Sequence, residues 1–348
     1  MKKFFMIVGI CMGIFVSSAS ADGLTNNLNN MLNKKDTSTG MVDLSNLNVN
    51  AKPKRIYKKR KTRSKKTVVA TVNGHKIIKK DADAFLKKIT RGKVKNFDLL
   101  PNKQRKRLLK EMSMPLVAGD VAKKELSEQE KSAVYTRLWM QKEALKTKIT
   151  DADVKKVYDR LVLQAKEQNS TKKPPEFKTI KRGMKMQMVE KQIVGKLTKD
   201  VKIKVINANM IAGSINDIYV SMEDADKALL SISKGKASWY KVSNNDRMKL
   251  LKMLAPSKLI EAVSKKDLKS KEKETSLANF WMQDKMNKTT VSDKEAKKAY
   301  ARIKKASKKA KSKKKLPVYK ELEKTLKMQI AKEKVVKTLM KSAKIKLK

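Results

Sequence analysis

One stretch of forty residues occurs twice in the chain, and this duplication limits the possible folds more than any other feature. Residues 121–160 align with residues 263–302 at a constant offset of 142, with 16 identical pairs in 40 and no gap. Lysine bias does not explain the match, because the rare tryptophans Trp139 and Trp281 align as well. The sequence therefore predicts two tandem units of the same kind, at 67–205 and 211–348.

Each copy begins with a β-hairpin signal and ends with a strand signal. In the first copy, apolar-rich runs at 67–72 and 75–78 flank Asn73-Gly74, a dipeptide typical of tight hairpin turns. The tails at 201–205 and 343–347 alternate apolar residues with lysine, as half-buried strands do. We expect each tail to pair with the hairpin of its own copy and so to join the two ends of each unit.

The residues between hairpin and tail have the 3.6-residue spacing of amphipathic helices. In the first copy this spacing predicts helices at 105–124 and 128–146, followed by a long helix at 177–199. Pro115 is expected to interrupt the first of these, since proline removes a backbone donor and its ring clashes with the preceding turn.

Capping boxes mark one further helix in each copy, at Thr150 with Asp153 and at Ser292 with Glu295. In such a box the hydroxyl and the carboxylate satisfy the free amides of the first helical turn. The expected fold class is therefore mainly α, with two tandem helical units that each carry a small β-hairpin and a terminal strand.

The amino terminus has the layout of a cleaved secretory signal peptide at 1–21. Two lysines precede an apolar run, and Ala19-Ser20-Ala21 supplies a cleavage site. An uncleaved anchor is the alternative, and Cys11 in the run is the only cysteine of the chain. Residues 22–66 are expected to be a disordered linker that ends in a basic arm at 52–66. These features predict a protein of the periplasm or cell envelope.

The chain is strongly basic, with 86 lysines and arginines against 34 acidic residues and a net charge of +52. Such an excess favours anionic partners. For an exported protein these are lipopolysaccharide, phospholipid, acidic wall polymers or acidic client chains, and nucleic acid is not expected. The alternative is a well-solvated lysine-rich surface without a binding role.

The sequence lacks common catalytic signatures. It has no phosphate-binding G-x-x-x-x-G-K-[ST], no G-x-S-x-G elbow and no His/Cys metal cluster, so neither a cofactor nor a metal is expected. His75, the only histidine, is interpreted as an exposed turn residue rather than a base or metal ligand. Paired acids at helix starts are interpreted as caps, at Asp81/Asp83, Asp151/Asp153 and Asp224/Asp226.

Methionine supplies the most plausible binding chemistry. The chain has 19 methionines, and their flexible, polarizable side chains adapt to varied apolar partners. Met186 is the strongest indication of a binding role, because it lies off the main apolar stripe of its helix. Ordinary core packing is the alternative for each of these methionines. The predicted peptide-binding residues are Trp139, Met140, Met184, Met186 and Met188 in the first copy and Trp281, Met282, Met286 and Met328 in the second.

The order of these motifs resembles the chaperone domain of the SurA/PrsA family of exported foldases. The shared features are a strand ending V-N-G, a D-x-D helix start, an I-[TS]-D-x-[DE]-[VA]-x-x-x-Y helix and a P-x-[FY] start to a long final helix. The resemblance implies binding of unfolded or outer-membrane-destined polypeptides without ATP.

Members of that family carry a parvulin isomerase domain between the tyrosine-containing helix and the final helix. This chain has only short bridges there, at 164–175 and 304–317. Parvulin catalysis is therefore not expected, and a non-enzymatic holdase is the leading hypothesis. The alternatives are an envelope protein that binds polyanions or has a structural role and, less favoured, a residual peptidyl-prolyl isomerase.

Overall fold

A computed structural model describes residues 62–167, 175–309 and 317–348. The signal peptide expected at 1–21 and most of the linker expected at 22–66 lie outside these residues. The described part of the chain contains ten α-helices and two three-stranded antiparallel sheets, so the mainly helical fold is confirmed. None of the helices in these ranges has the length and apolar character needed to cross a membrane.

Both copies have the same order of elements, which is a hairpin, five helices and a final strand. The strands are β1 (Val68–Val72), β2 (His75–Ile78), β3 (Ile203–Ala208), β4 (Ile211–Ile215), β5 (Ile218–Ser221) and β6 (Ile345–Leu347). The helices are α1 (Lys79–Ile89), α2 (Asn102–Glu125), α3 (Glu128–Lys146), α4 (Asp151–Glu167), α5 (Phe177–Thr198), α6 (Met222–Ser233), α7 (Asn244–Asp267), α8 (Ser270–Lys288), α9 (Asp293–Lys309) and α10 (Tyr319–Lys341).

The tail strands pair with the hairpin of the other copy. Strand β6 extends the β1–β2 hairpin, in the order β2-β1-β6, and β3 extends the β4–β5 hairpin, in the order β3-β4-β5. The expectation that each tail joins its own hairpin was therefore wrong. Only Asn209 and Met210 separate β3 from β4, and both have the left-handed φ of a two-residue hairpin turn. Because β3 pairs with β4 through this short local turn, the edge of the first hairpin remains available to the last strand, β6.

The chain forms two compact units, and each combines halves of both copies. The first unit contains the residues up to Leu126 together with Glu274–Lys348, and the second contains Ser127–Lys273. The predicted boundaries at 67–205 and 211–348 thus describe the two sequence copies. In the compact units, the second halves of the two copies are exchanged.

Each unit has its own buried core beside its sheet. In the first unit Val69 and Val72 of β1 are almost fully buried, as are Leu86 of α1 and Leu109 of α2. In the second unit one cluster joins the sheet to α6 and α7, with Ala212, Ile215, Val220, Trp239, Leu250 and Leu251 among its members.

Proline does not break the long helices. Helix α2 continues through Pro115, and α7 continues through Pro256, one residue before the position equivalent to Pro115. The expected interruption near Pro115 was therefore wrong. Apolar side chains on both sides of the proline are buried, Leu109 before it and Val117 after it. We attribute the continuity to this tertiary packing, which offsets the lost backbone hydrogen bond.

The paired acids at the hairpin-to-helix junctions do not all act as caps. Asp81 lies in the first turn of α1, as expected. The carboxylate of Asp83 instead accepts the N–H of Phe97 at 2.7 Å, and Asp226 accepts the N–H of Trp239 at 2.7 Å. The second acid of each pair therefore holds the loop that follows the helix, which corrects the capping interpretation for these two residues.

The last residues of the expected linker belong to the first unit. The guanidinium of Arg63 donates to Asp98 at 2.6 and 2.9 Å and to the carbonyl oxygen of Lys348 at 2.9 Å. Burial favours a raised pKa for Asp98, but the hydrogen bonds and charge of Arg63 outweigh it and lower the pKa of this carboxyl. Arg63 thus ties the start of the described chain to its end.

Candidate functional site

The two tryptophans predicted to line a binding surface are buried. Trp139 is 5% exposed and Trp281 is 6% exposed. Each indole N–H donates to a carboxylate, Trp139 to Asp267 at 3.2 Å and Trp281 to Glu125 at 2.8 Å. A buried indole usually finds such an acceptor. These side chains are part of the interior and do not line an open surface.

The carboxylates that hold the tryptophans lie at equivalent positions of the two copies, 142 residues apart. Trp139 of the first copy binds Asp267 of the second, and Trp281 of the second copy binds Glu125 of the first. Lys285 also pairs with Glu125 at 2.8 Å, and this contact, followed by that of Trp281, lowers the pKa of Glu125. The exchange of halves is therefore fixed by side chains as well as by strands.

An open cleft of ≈ 230 Å³ lies in the first unit, between the end of α8, the loop that follows it and α10. It brings together two of the predicted residues, Met286 and Met328, and Met328 is 47% exposed. The cleft thus offers apolar, adaptable side chains to solvent. It is lined by Met286, Asn287, Thr289, Val291, Lys324, Lys327, Met328 and Ala331.

The rim of this cleft is cationic. Lys327 pairs with Asp293 at 2.5 Å and with Glu323 at 2.7 Å, and these contacts raise the pKa of the ammonium group. Lys324 is exposed and has no ion-pair partner among the described residues. One lysine is therefore held in place by carboxylates, while the other is available to an anionic group of a ligand.

The second unit presents an equivalent surface at the end of α3 and on α5. Met186, one repeat before Met328, is 39% exposed, and Leu145 beside the loop is 79% exposed. Lys185 lies 3.4 Å from Asp151, in the same relation as Lys327 to Asp293. The methionine and the lysine–aspartate pair are thus retained in both copies.

Matching contacts fix the start of the long helix beside each surface. The hydroxyl of Tyr158 donates to the carbonyl of Pro175 at 2.9 Å, and the hydroxyl of Tyr300 donates to the carbonyl of Pro317 at 2.9 Å. Tyr158 also packs against Phe177 with 5.3 Å between ring centroids, and Tyr300 packs against Tyr319 at 5.7 Å. The tyrosine motif therefore orients α5 and α10 relative to the preceding helices.

The capping boxes complete this local frame. Asp153 accepts hydrogen bonds from the amide of Thr150 at 2.9 Å and from its hydroxyl at 2.6 Å, and Glu295 makes the same contacts with Ser292. Both capping boxes are confirmed. Lys334 of α10 pairs with Glu295 at 2.8 Å and, with the Ser292 contacts, lowers the pKa of Glu295 to about 2.

The other predicted residues are less accessible. Met140, Met188 and Met282 are half-buried, and Met184 is 8% exposed within the core. Sequence reasoning missed Leu145, which lies in the helix predicted at 128–146 but was not among the predicted binding residues. It also missed Lys324 and Lys327, which line the same cleft as Met328 on α10.

His75 makes a specific contact. It is the first residue of β2 and not a residue of the turn, and its Nε2 atom lies 2.8 Å from Asp120 Oδ1. In the described ranges no group of three or more His, Cys, Asp or Glu side chains is arranged to hold a metal ion.

No protein-family model, curated protein or solved structure is significantly similar to the chain. Its functional assignment therefore rests on the cleft and on the surfaces described above.

Proposed function

We propose that the protein is an ATP-independent chaperone of the bacterial envelope that holds unfolded or outer-membrane-destined polypeptides. The supporting observation is the exposed methionine retained at one position of both copies, Met186 and Met328. A contiguous exposed apolar patch marks an interaction site, and Met328 shares its cleft with Met286, Val291 and Ala331. The retention of Met186 and Met328 beside a lysine–aspartate pair in both copies favours a role in binding.

The chemistry of the cleft and of the equivalent surface in the second unit favours an extended segment with apolar and acidic side chains. Methionine contributes flexible apolar contacts without a fixed shape, which suits many client sequences. The exposed ammonium of Lys324 at the rim and the net charge of +52 both attract carboxylates. A client segment would place an apolar residue on Met328 and a neighbouring acidic residue toward Lys324.

This proposal places the protein beside the SurA/PrsA foldases as a form without the isomerase domain. It requires neither ATP nor a metal. The leading alternative is an envelope protein that binds polyanions, motivated by the same net charge. Ionic strength distinguishes the two, because polyanion binding weakens steeply as salt screens charge, whereas contacts to methionine persist.

The test measures suppression of aggregation of an unfolded outer-membrane protein at an equimolar ratio. The wild-type chain is expected to suppress aggregation at low and at moderate ionic strength. The double variant Met186→Gln with Met328→Gln keeps side-chain length and helix propensity, and it is expected to lose most of this activity.

A matched control replaces Leu163 and Leu230, which are 57% and 37% exposed on other helical surfaces, with glutamine. This control is expected to retain activity. Failure of the wild-type chain to suppress aggregation would refute the proposal, and an equal loss in both double variants would show that the two methionine surfaces are not the binding surface.

A further inference from the structure

Helix α9 carries a continuous basic face. At 3.6 residues per turn its exposed basic side chains fall within less than half of the helix circumference, and they extend over about 17 Å along the axis. The buried Ala296 lies on the opposite side, toward the core. The exposed residues of this basic face are Lys294, Lys297, Lys298, Arg302, Lys304 and Lys305.

The charge of this face is not compensated within the described part of the chain. Helix α9 contains eight basic residues and two acidic ones, for a net charge of +6. Both acids are already engaged by α10, Asp293 by Lys327 and Glu295 by Lys334. None of the six exposed basic side chains forms an ion pair with another described residue.

The equivalent helix of the other copy shows that the fold does not require this charge. Helix α4 has four basic and four acidic residues and is neutral overall. It nevertheless has the same capping box and the same contact from its tyrosine to a proline carbonyl, Tyr158 to Pro175. General lysine bias would affect both helices alike, so the excess on α9 has a separate cause.

We propose that the basic face of α9 docks on an anionic lipid surface. The outer side of a single helix is convex, so the face suits an extended array of phosphate groups better than an enclosed small molecule. Its long lysine and arginine stems can adjust their head groups to such an array.

Nucleic acid fits this face less well. The face has no aromatic side chain on which bases stack, since the ring of Tyr300 packs against Tyr319 and its hydroxyl binds Pro317. The proposal is independent of the chaperone assignment, because it concerns where the protein is held and not what it binds at its methionine surfaces.

The test measures co-sedimentation of the full chain with phosphatidylcholine vesicles that contain or lack phosphatidylglycerol. The wild-type chain is expected to bind only the anionic vesicles. The variant Lys294→Gln, Lys298→Gln, Arg302→Gln, Lys305→Gln is expected to bind them roughly a hundredfold more weakly, because each basic residue near an anionic bilayer contributes up to about fivefold.

A second quadruple variant controls for total charge. It replaces four exposed lysines on four other helices, Lys88, Lys124, Lys196 and Lys252, with glutamine. This variant has the same net charge as the first and is expected to bind anionic vesicles nearly as well as the wild-type chain. Circular dichroism checks that both variants keep their helical content.

Two results would overturn the proposal. Equal weakening in the two quadruple variants would show that binding follows total charge and not the face of α9, and absence of wild-type binding would remove its basis. Tighter binding to a DNA duplex than to anionic vesicles, lost in the α9 variant alone, would identify the face as a nucleic-acid surface instead.

Discussion

Deletion of residues 344–348 tests the exchange of halves directly. The deletion removes β6, which extends the first hairpin. Asn73 N–H donates to the carbonyl of Lys344 at 3.1 Å, and the N–H of Lys344 returns a hydrogen bond to Asn73 Oδ1 at 3.0 Å. Lys348 donates to the carbonyl of Val69 at 3.1 Å and accepts from Arg63 at 2.9 Å. The first unit therefore loses at least these four hydrogen bonds.

The size of the effect follows from these contacts. Partly exposed hydrogen bonds contribute about 0.5–1 kcal/mol each, so the deletion lowers the local opening free energy around β1 by roughly 2–4 kcal/mol. Because 1.4 kcal/mol corresponds to a factor of ten, amide exchange at this strand is expected to accelerate roughly 30- to 1000-fold.

Two equivalent amides distinguish the exchanged fold from the simple tandem arrangement. Asn73 binds Lys344 in the first sheet, and Asn216 binds the carbonyl of Lys202 at 2.7 Å in the second. Hydrogen exchange read out by mass spectrometry or NMR is expected to show loss of protection at Asn73 and unchanged protection at Asn216.

The opposite pattern would refute the exchange. If the last strand joined the hairpin of its own copy, the deletion would expose Asn216 and leave Asn73 protected. A point variant offers a milder test, since Asn73→Gly removes the side-chain acceptor for Lys344 but tolerates the left-handed φ of 46° at this position. Its matched control is Asn216→Gly, which perturbs the second sheet.

Two further predictions concern single residues. A Cβ atom at Gly213 would clash with Leu251 Cδ1. Gly213→Ala is therefore expected to lower the free energy of unfolding of the second unit by about 1–3 kcal/mol in urea titrations. The matched control is Ala70→Gly in the first sheet, and an unchanged urea midpoint for Gly213→Ala would contradict the close packing. Lys334, together with the amide and the hydroxyl of Ser292, holds the pKa of Glu295 at about 2. The stability that this carboxylate contributes is therefore present above its unfolded pKa of about 4.5 and is lost as the pH falls toward 2. NMR titration of Lys334→Met is expected to show the pKa of Glu295 rising part of the way toward 4.5, because the Ser292 contacts remain, and an unchanged value would exclude the ion pair as a cause.

Local signals in the sequence predicted the elements well. The Asn73-Gly74 turn, the capping boxes and the helix at 128–146 depend on neighbouring residues, and the structure contains each of them. Such features are determined within a few residues by backbone geometry and side-chain caps.

Pairing between distant segments was not predictable in the same way. The alternation at 343–347 shows that the segment is a strand with one buried face, but the first and second hairpins present similar edges to it. The choice of hairpin depends on the two-residue turn at Asn209-Met210, because this turn pairs β3 with the edge of the second hairpin. That turn lacks the Asn-Gly signature, so periodicity alone suggested the wrong partner.

The candidate site was predicted in part. Met186 is exposed, as expected of a methionine off the main helical stripe, and so is Met328, whereas Trp139 and Trp281 are buried and their indole N–H groups bind carboxylates. Those carboxylates come from the other copy, so a pattern within one copy does not reveal them. A large aromatic residue by itself does not distinguish a binding surface from a core.

Comparison of the two copies distinguishes the contacts that the fold requires from the features that only one copy has. Both copies retain the tyrosine contact to a proline carbonyl and a lysine–aspartate pair beside an exposed methionine. Helices α4 and α9 differ in net charge, which is zero for α4 and +6 for α9. Contacts retained at the two methionine surfaces favour a task common to both units, whereas a charge present on one helix alone favours a separate task for that unit. Under the two proposals above, the chain holds clients at two equivalent surfaces and docks through a third.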